Sequence, residues 1–466
     1  MVLSVNVKHG LHVVGFLAFM LGFEFATGGL RLSGVSGELT RDSVDPWTAY
    51  GVIGTICLYA LRIVSLLVLP QTICNMLGLL LYNAFKDRIP LQGSPLLAPF
   101  VCLRVVTRGD YPELVAQNVR RNIDTCLQVG MSNFMVEVVT DKAINLIENY
   151  KNCTIREVVV PTSYRTKSNA LFKARALQYC LEDDVNRLSD ESWIVHLDEE
   201  TIVTENCVRG VLNFAMDGKH QFGQGVITYA NENIVNWVTT LSDSFRVADD
   251  MGKLRFQFST FHKPLFGWKG SFVVTLLGAE RKVTYDHGPD GSVAEDCYFS
   301  MKAYEHGYSF GFIEGEMWEK SPFTFWDFLQ QRKRWLQGIF LVVHSRRIRC
   351  RVKAFLALSL YAWATIPLTT SNCILAALFP IPCPRVFEFL IVYIGGMNLY
   401  MYIFGVIKSF STRYRHKPWR LAWYTAGAIA TIPFNILIEN VAVIWGMFGH
   451  KHQFYVVTKD PVVLDV

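Results

Sequence analysis

Residues 193–200 read Trp-Ile-Val-His-Leu-Asp-Glu-Glu, an apolar run that ends in three acids. The run predicts a buried β-strand over residues 193–197. Because successive side chains of a strand point to opposite sides, Asp198 and Glu200 should lie on the same side at the strand end. Such a pair can hold a divalent cation that bridges a diphosphate, although a single pair of this kind also occurs in many proteins without that role.

Other short β-rich runs surround this strand and alternate with helical patterns. We predict further strands at residues 100–107, 134–140, 155–160 and 223–229, and helices after Tyr111, after Lys142 and around Lys173. Strands that alternate with helices favour a mostly parallel sheet covered on both faces, with ligands at the carboxyl ends of the strands. The predicted fold class of this region is therefore α/β and Rossmann-like.

Long apolar segments flank the α/β region. Two precede it and three follow it, at residues 11–30, 51–85, 354–379, 386–407 and 421–448. About 20 apolar residues are enough to cross the hydrocarbon core of a bilayer, so we expect two N-terminal spans, the second with a possible interfacial tail. The last segment contains Pro433, and it could cross once or bend back as a hairpin.

Basic residues beside the apolar segments predict the orientation. Lys86 and Arg88 follow the second segment, and a basic loop at 413–420 follows the fourth. By the positive-inside rule these loops face the cytosol. The predicted organisation is an N-terminal transmembrane region at 1–85, a cytosolic α/β domain at 86–350, a C-terminal transmembrane region at 351–450 and a tail at 451–466. The net charge of +5 is mild and forms no continuous basic stripe, so nucleic acid is not an expected partner.

A basic amphipathic helix is predicted at residues 325–343, at the carboxyl end of the α/β domain. At 3.6 residues per turn, Gln331, Arg334, Trp335 and Gly338 share one face, and apolar side chains lie roughly opposite. One face could serve a site while the other meets the membrane interface. A helix that merely rests on anionic lipid is the alternative interpretation.

A second acidic motif, Glu295-Asp296, lies roughly 100 residues after the first, in a loop rich in Gly and Asp. By itself, a solvated loop or a helix N-cap would explain it. Asp249, Asp250 and His262 are interpreted as solvated or capping residues and are left out of the site.

Read together, these motifs resemble membrane-bound glycosyltransferase family 2. Members of that family show a base-binding acid, a D-x-D, an E-D and a Q-x-x-R-W in that order. The corresponding residues here are Asp141, 198–200, 295–296 and 331–335. The D-x-D becomes Asp-Glu-Glu, which keeps two carboxylates. The resemblance implies a GT-A fold and transfer of a sugar from a nucleotide-activated donor.

Nearly the whole chain is also similar to the Egghead-type β-1,4-mannosyltransferases of invertebrates. Segments that carry this likeness include residues 95–100, 104–110, 193–200 and 229–233. The resemblance implies inverting transfer of mannose from GDP-mannose to glucosylceramide, in glycosphingolipid synthesis. It also implies a multi-pass protein of the endoplasmic reticulum or Golgi. Periodicity and spacing do not identify this sugar or this lipid.

The same resemblance assigns roles on the donor side. Asp296 would be the general base, and Glu295 would shape its surroundings. Asp198 and Glu200 would position Mg²⁺ or Mn²⁺, while Lys173 and Arg334 would help to hold the diphosphate. The full set implied for the nucleotide sugar is Thr107, Asp110, Asp141, Lys173, Asp198, Glu199, Gln331 and Arg334.

On the acceptor side, the resemblance implies that Trp335 offers an aromatic face to the acceptor sugar. A core role for that tryptophan is the alternative. The loop residues Trp268, Gly270 and Ser271 match an acceptor loop of the family, although Lys269 departs from its usual small or polar residue.

Two other enzyme classes share these motifs. They are a glycolipid transferase that uses a UDP-sugar and a processive polysaccharide synthase with a transmembrane channel. The small number of C-terminal apolar segments argues against a wide channel. A polytopic transporter or scaffold with an inactive domain is the non-enzymatic alternative, and the presence of every expected carboxylate argues against it.

Overall fold

The computed structural model describes residues 4–30, 45–411, 413–414, 416–457 and 459. The chain begins with three apolar helices, α1 (Val5–Thr27), α2 (Pro46–Val64) and α3 (Leu69–Leu81). Arg415 of the predicted basic loop lies outside the described residues.

An α/β domain follows these helices. Its elements are β1 (Val101–Thr107), α4 (Pro112–Val129), β2 (Phe134–Thr140), β3 (Asn149–Tyr150), β4 (Cys153–Val159), α5 (Phe172–Tyr179), β5 (Trp193–Asp198), β6 (Ile202–Val203), α6 (Glu205–Asp217), β7 (Phe222–Thr228), α7 (Trp237–Asp249), β8 (Val273–Leu276), α8 (Leu277–Val283), α9 (Glu295–Glu305), β9 (Phe310–Trp318) and α10 (Phe325–His344). Each of the five predicted strands is present, with ends within two residues of the predicted ones. The hydrophobic runs therefore located the main strands correctly.

The strands form a nine-stranded sheet in the order β3-β4-β2-β1-β5-β8-β7-β9-β6. Strands β4, β2, β1 and β5 are parallel to one another. Strand β8 runs antiparallel to both of its neighbours, and β6 runs antiparallel to β9. The expectation of a mostly parallel sheet thus holds for only half of it, and the sheet as a whole is mixed. The carboxyl ends of β1, β2 and β5 meet at one edge, where ligands are expected.

The helix predicted after Lys142 is wrong. The backbone N–H groups of Ile144 and Leu146 donate to the carboxylate of Glu157 on β4, and Asn145 has a positive φ of 60°. Because these amides bind a side chain of the neighbouring strand, the segment stays a loop.

Helix α3 packs against the α/β domain. Beyond Asp249, α7 continues as wide π-helical turns at Asp250–Leu254 and Gln257–Phe261. Gly78 of α3 lies directly on this extension, where an added Cβ would come within 1.9 Å of the carbonyl oxygen of Gly252. The buried face of α3 is therefore the face toward the domain.

Four C-terminal helices follow the domain: α11 (Ala354–Ala364), α12 (Ile366–Leu378), α13 (Arg385–Phe410) and α14 (Pro418–Phe448). Helices α11 and α12 are bent by 51° at a short break. Within the described ranges, four helices are long and apolar enough to cross a bilayer, or up to five when this bent pair counts as one span.

Helix α14 is continuous through Pro433, and both of its ends contact the α/β domain. The ring of Tyr424 stacks on Trp237 of α7 at 4.8 Å between centroids. Near the other end, an added Cβ on Gly446 would lie 2.9 Å from Leu336 Cδ2 of α10. The helix therefore runs along the domain instead of forming a hairpin.

This position of α14 corrects one expectation about α10. Leu336 and Val343, on the apolar face that we expected to meet the membrane interface, are buried in a cluster with Val443 of α14 and Leu356 of α11. Leu336 is fully buried. Protein thus covers Leu336 and Val343 of this face, whereas Leu329 and Phe340 are only half-buried.

Candidate active site

A cavity of about 1290 Å³ opens at the carboxyl ends of β1, β2 and β5. Every residue that the resemblance assigned to the site lines this cavity, with the exception of Asp110. The residues are drawn from four parts of the chain that are far apart in sequence. The fold therefore brings the ordered motifs into one place.

Lys173 links the donor acids to the acceptor loop. Its Nζ donates to Asp198 Oδ1 at 2.6 Å and to the carbonyl oxygen of Gly270 at 3.1 Å, and it lies 4.0 Å from Glu295 Oε1. Burial acts to lower the pKa of Lys173, but the carboxylates of Asp198 and Glu295 outweigh it and raise that pKa. The side chain is therefore a permanent cation at the centre of the cavity.

The ion pair with Lys173 also affects the pKa of Asp198. Burial acts to raise the pKa of Asp198, but the cations around it, Lys173 foremost, outweigh burial and hold that pKa below its usual range. Asp198 is therefore ionised at neutral pH.

Glu199 and Glu200 are engaged by a residue from the C-terminal tail. The Nζ of Lys459 donates to Glu199 Oε1 at 2.7 Å and also to Glu200 Oε2. Thr107 donates its hydroxyl proton to the other oxygen of Glu199. Burial raises the pKa of Glu200, against the attraction of Lys459. The three acids after β5 therefore face two lysines, Lys173 and Lys459.

Glu295 and Asp296 occupy the first turn of α9, where the helix dipole favours negative charge. Asp296 Oδ1 accepts a hydrogen bond from the N–H of Cys297 at 2.7 Å. Burial, and then Asp296, raises the pKa of Glu295 to about 7. Burial also raises the pKa of Asp296. A carboxylate whose pKa is raised in this way is a stronger base than a free carboxylate.

Gly270 lies close to Asp296 in the cavity wall. A Cβ at this position would lie 3.2 Å from Asp296 Oδ2 and 3.5 Å from Lys173 Nζ. The absence of a side chain keeps open the space in front of the carboxylate, where an acceptor hydroxyl has to sit.

Glu319 is a further buried acid that sequence reasoning did not assign to the site. It accepts a hydrogen bond from Thr201 Oγ1 at 2.6 Å and lines the same cavity. Burial, and then the charges of Glu200 and Asp198, raises the pKa of Glu319 to about 7. Its only signal in the sequence was its position in a segment, Glu319-Lys-Ser-Pro, that carried part of the family likeness.

Helix α10 supplies the predicted residues Gln331, Arg334 and Trp335 to the cavity wall, together with Arg332 and Ile339. The guanidinium of Arg334 lies over the Phe454 ring at 4.4 Å and donates to the carbonyl oxygen of Tyr455 at 2.8 Å. Gln331 has a buried Oε1 with no hydrogen-bond partner among the described residues. Gly338 packs against Ala294, so the face of the helix named in the sequence does turn toward the site.

Trp335 is surrounded by cations. The guanidinium carbon of Arg246 lies 4.3 Å from its ring centroid, and that of Arg332 lies 4.6 Å from it. Stacking of Trp335 on an acceptor sugar would therefore compete with these two groups.

The acceptor loop is only partly as expected. The ring of Trp268 lines the cavity but is buried in an aromatic core with Phe222 and Phe310, 4.6 Å from the latter between ring centroids. Ser271 lies 3.0 Å from Thr201, hydroxyl to hydroxyl. Asp250 was set aside in the sequence, but it is buried, pairs with Lys269 and lines the cavity. That pair explains the unusual lysine in this loop.

The residues expected around the nucleoside are separated. Asp141 lines the cavity and accepts a hydrogen bond from Arg175 at 2.6 Å. Asp110 is exposed and bound by Lys142. Asp110 is thus the one assigned residue that the fold leaves outside the cavity wall.

The C-terminal tail is the largest feature that sequence reasoning missed. The Phe454 ring stacks on Phe172 at 4.8 Å, and the Tyr455 hydroxyl donates to Asp327 Oδ1 at 2.6 Å. These contacts, together with those of Lys459, place residues 454–457 and 459 across the donor side of the cavity. No local sequence motif predicts contacts between residues this far apart in the chain.

Asp198 and Glu200, at the end of β5, are the candidate metal ligands. In the part of the chain that the structure describes, no group of three or more His, Cys, Asp or Glu side chains could hold a metal ion. Asp198 and Glu200 remain a usable pair, because a divalent cation between protein and diphosphate takes its other ligands from phosphate and water. Lys459 would have to leave Glu200 for that arrangement.

Comparison with known proteins identifies the family. Residues 193–408 match the family model described as glycosyl transferase family group 2. The chain is 60% identical over 458 residues to beta-1,4-mannosyltransferase egh of Drosophila melanogaster, with 98% of each chain covered. It is 63% identical over 460 residues to beta-1,4-mannosyltransferase bre-3 of Caenorhabditis elegans, with 98% of this chain and 99% of that one covered.

Among solved structures, Staphylococcus aureus TarS 1–349 aligns with 77% of this chain and 94% of its own, at 11% identity and a TM-score of 0.36. That likeness carries no argument about substrate. The identity to the curated relatives shows the family, since it extends over nearly the whole chain. The protein is a glycosyltransferase and belongs to the β-1,4-mannosyltransferase family within glycosyltransferase group 2.

Proposed function

We propose that the protein transfers mannose from GDP-mannose to the 4-hydroxyl of glucosylceramide with inversion at the anomeric carbon. The observation that carries this proposal is the single cavity that joins the carboxylates of Asp198 and Asp296 to the apolar helices α12, α13 and α14. A nucleotide sugar can approach from the strand ends and a lipid from the helices. The β-1,4-mannosyltransferase activity for which the relatives are named supports mannose as the sugar.

The donor side supplies cations where the leaving nucleoside diphosphate gains charge. Lys173 and Arg334 line this part of the cavity, and Lys459 reaches it from the tail. Fixed positive groups in a partly dry cavity stabilise the developing charge more than water would. Asp141 and Thr107, at the ends of β2 and β1, would contact the nucleoside.

We propose that Asp198 and Glu200 hold Mg²⁺ or Mn²⁺ when donor is bound. The ion would neutralise charge on the diphosphate. The protein's own contribution is to keep Asp198 ionised through Lys173 and to release Glu200 from Lys459.

On the acceptor side, Asp296 is the group that would take the hydroxyl proton. Its Oδ2 faces the space above Gly270, and burial raises its pKa toward the working range of a general base. Attack from the face opposite the leaving group converts an α-linked donor into a β-linked product. Glu295 adjusts the charge around this base.

We further propose that α1, α2, the bent pair α11–α12 and α13 cross the membrane, and that α14 lies along the cytosolic surface under the domain. The contacts of both ends of α14 with the domain support this arrangement. Four crossings keep the N-terminus, the domain and the tail on the cytosolic side, in the endoplasmic reticulum or Golgi. A tag after Val466 should be digested by protease in sealed microsomes, and protection of that tag would refute this arrangement.

The donor is tested with a panel of GDP- and UDP-sugars offered to the purified full chain with glucosylceramide and Mg²⁺ or Mn²⁺. Nucleotide release that depends on glucosylceramide is expected with GDP-mannose only. Turnover restricted to a UDP-sugar would overturn the proposal. Formation of a long polymer would favour a processive synthase instead.

A further inference from the structure

The cavity that holds the catalytic acids also reaches between three C-terminal helices. Its polar lining there includes five side chains, which we call the polar chamber: Asn372 of α12, Asn398 and Tyr402 of α13, and Asn435 and Glu439 of α14. These helices are otherwise strongly apolar. Polar groups gathered inside such a bundle are costly in lipid, and they commonly mark the path of a substrate.

Contacts connect the polar chamber to the catalytic part of the cavity. Trp363 donates its indole N–H to Glu439 Oε2 at 2.8 Å, and Arg332 Nε lies 3.3 Å from Glu439 Oε1. The same Arg332 lies over the Trp335 ring. Through Arg332, the chamber therefore adjoins Trp335, the residue assigned to the acceptor sugar.

Asn435 has hydrogen-bonding capacity that the described residues do not use. Its side-chain amide bonds the Tyr402 hydroxyl through one atom, and its other polar atom is buried with no partner among the described residues. This holds whichever way the amide is turned. Gln331, higher in the same cavity, also has a buried oxygen without a described partner. Buried polar atoms of this kind are usually satisfied by a ligand or by water.

We propose that the polar chamber binds the hydrogen-bonding backbone of the acceptor lipid, just below its sugar, and so selects a lipid with an amide and a hydroxyl over a diacylglycerol. This inference rests on the proposed function, because it takes the acceptor to be a glycolipid. A sphingoid backbone offers both donors and acceptors at this level, whereas the two esters of a diacylglycerol offer acceptors alone. A site built to hydrogen-bond a donor discriminates strongly against an analogue that lacks it.

The test compares two lipids with the same sugar. Glucosylceramide and glucosyldiacylglycerol are offered in identical mixed micelles with saturating GDP-mannose, and kcat/KM is measured for each. The wild-type chain should prefer glucosylceramide. Asn435→Leu should reduce that preference roughly tenfold, the scale of one hydrogen bond, mainly through a lower kcat/KM for glucosylceramide.

Asn440→Leu is the matched control. Asn440 lies on the same helix, but its amide donates to Thr370 Oγ1 at 3.1 Å and to the carbonyl oxygen of Ile436 at 2.7 Å. Its replacement should leave the preference unchanged. Asn398→Leu, on α13, tests the chamber from a second helix, and GDP binding by each variant verifies that the domain is folded.

An unchanged preference in both Asn435→Leu and Asn398→Leu, with GDP binding intact, would overturn the inference. Equal use of the two lipids by the wild-type chain would also overturn it, while leaving the proposed function in place. In this assay the proposed function would be contradicted if the wild-type chain transferred no mannose to glucosylceramide.

Discussion

The ammonium nitrogen of Lys459 lies 2.7 Å from Glu199 Oε1, so the C-terminal tail supplies a cation to the acids that end β5. The same nitrogen contacts Glu200, one of the two proposed metal ligands. Burial acts to lower the pKa of Lys459, but Glu200 and Glu199 outweigh it and raise that pKa. The tail therefore competes for the position that a divalent cation would take.

Lys459→Ala should lower the Mg²⁺ concentration needed for half-maximal GDP-mannose binding about tenfold, since a close competing charge is removed. The measurement is calorimetric donor binding at a series of Mg²⁺ concentrations. Lys451→Ala is the control, because that lysine is also in the tail but donates to the carbonyl oxygen of Met447. A higher Mg²⁺ requirement in Lys459→Ala would mean that Lys459 helps to hold the donor instead.

Asp296→Asn should reduce mannose transfer by roughly 10² to 10⁴-fold, the contribution typical of a general base. GDP-mannose binding should change little, because Asp296 faces the acceptor space above Gly270. Transfer and donor binding are measured on the same preparation. Asp290→Asn, an exposed position a few residues earlier, serves as the control. Retained transfer in Asp296→Asn would remove this residue as the base.

Glu295→Gln should move the acid limb of the kcat/KM profile to lower pH by about one unit. Asp296 acts as a carboxylate, so the rate falls as pH drops through its pKa. The two adjacent carboxyls titrate as a pair, so removal of the Glu295 carboxyl removes the repulsion between their charges, and the apparent pKa of the site should fall. The other charges that face the pair, Lys173, Asp198 and Arg334, are unchanged.

Glu305→Gln is the control for this profile, because Glu305 ends the same helix and pairs with Lys302. Its acid limb should coincide with that of the wild-type chain. An acid limb that stays in place in Glu295→Gln would show that the two carboxyls are not coupled.

Gly270→Ala should lower kcat/KM for the acceptor at least about tenfold, since the new methyl group would lie 3.2 Å from Asp296 Oδ2. The melting temperature should change little, because no left-handed backbone conformation is required at this position. Gly10→Ala, where an added Cβ meets nothing within 4 Å, is the matched substitution outside the site. Undiminished transfer by Gly270→Ala would exclude this space as the acceptor position.

The sequence predicted the strands that carry strong apolar runs. Strand β5 was predicted from the apolar run at residues 193–197, all five of which are buried in the structure, and β1 and β2 were predicted in the same way. Strand β8 has only four residues, and β9 contains two glycines and two glutamates, so neither shows a clear pattern. The sequence therefore did not predict that the sheet contains antiparallel as well as parallel strands.

The ordered motifs in the sequence predicted part of the candidate site. The motifs around Asp198, Asp296 and Arg334 gave residues that do share one cavity. Lys459 could not be found this way, because its contact with Glu199 joins positions 260 residues apart. Asp250 was missed for a related reason, because the sequence does not show its ion pair with Lys269. That ion pair offsets the cost of burying the Asp250 carboxylate.

The central claim is tested most directly by the structure of the lipid product. The purified full chain is incubated with GDP-mannose and glucosylceramide, and the product lipid is isolated and examined by nuclear magnetic resonance. A single mannose, β-linked to O4 of the glucose, is the predicted result. An α-linked mannose, attachment at another hydroxyl, or no mannosylated lipid at all would contradict the account.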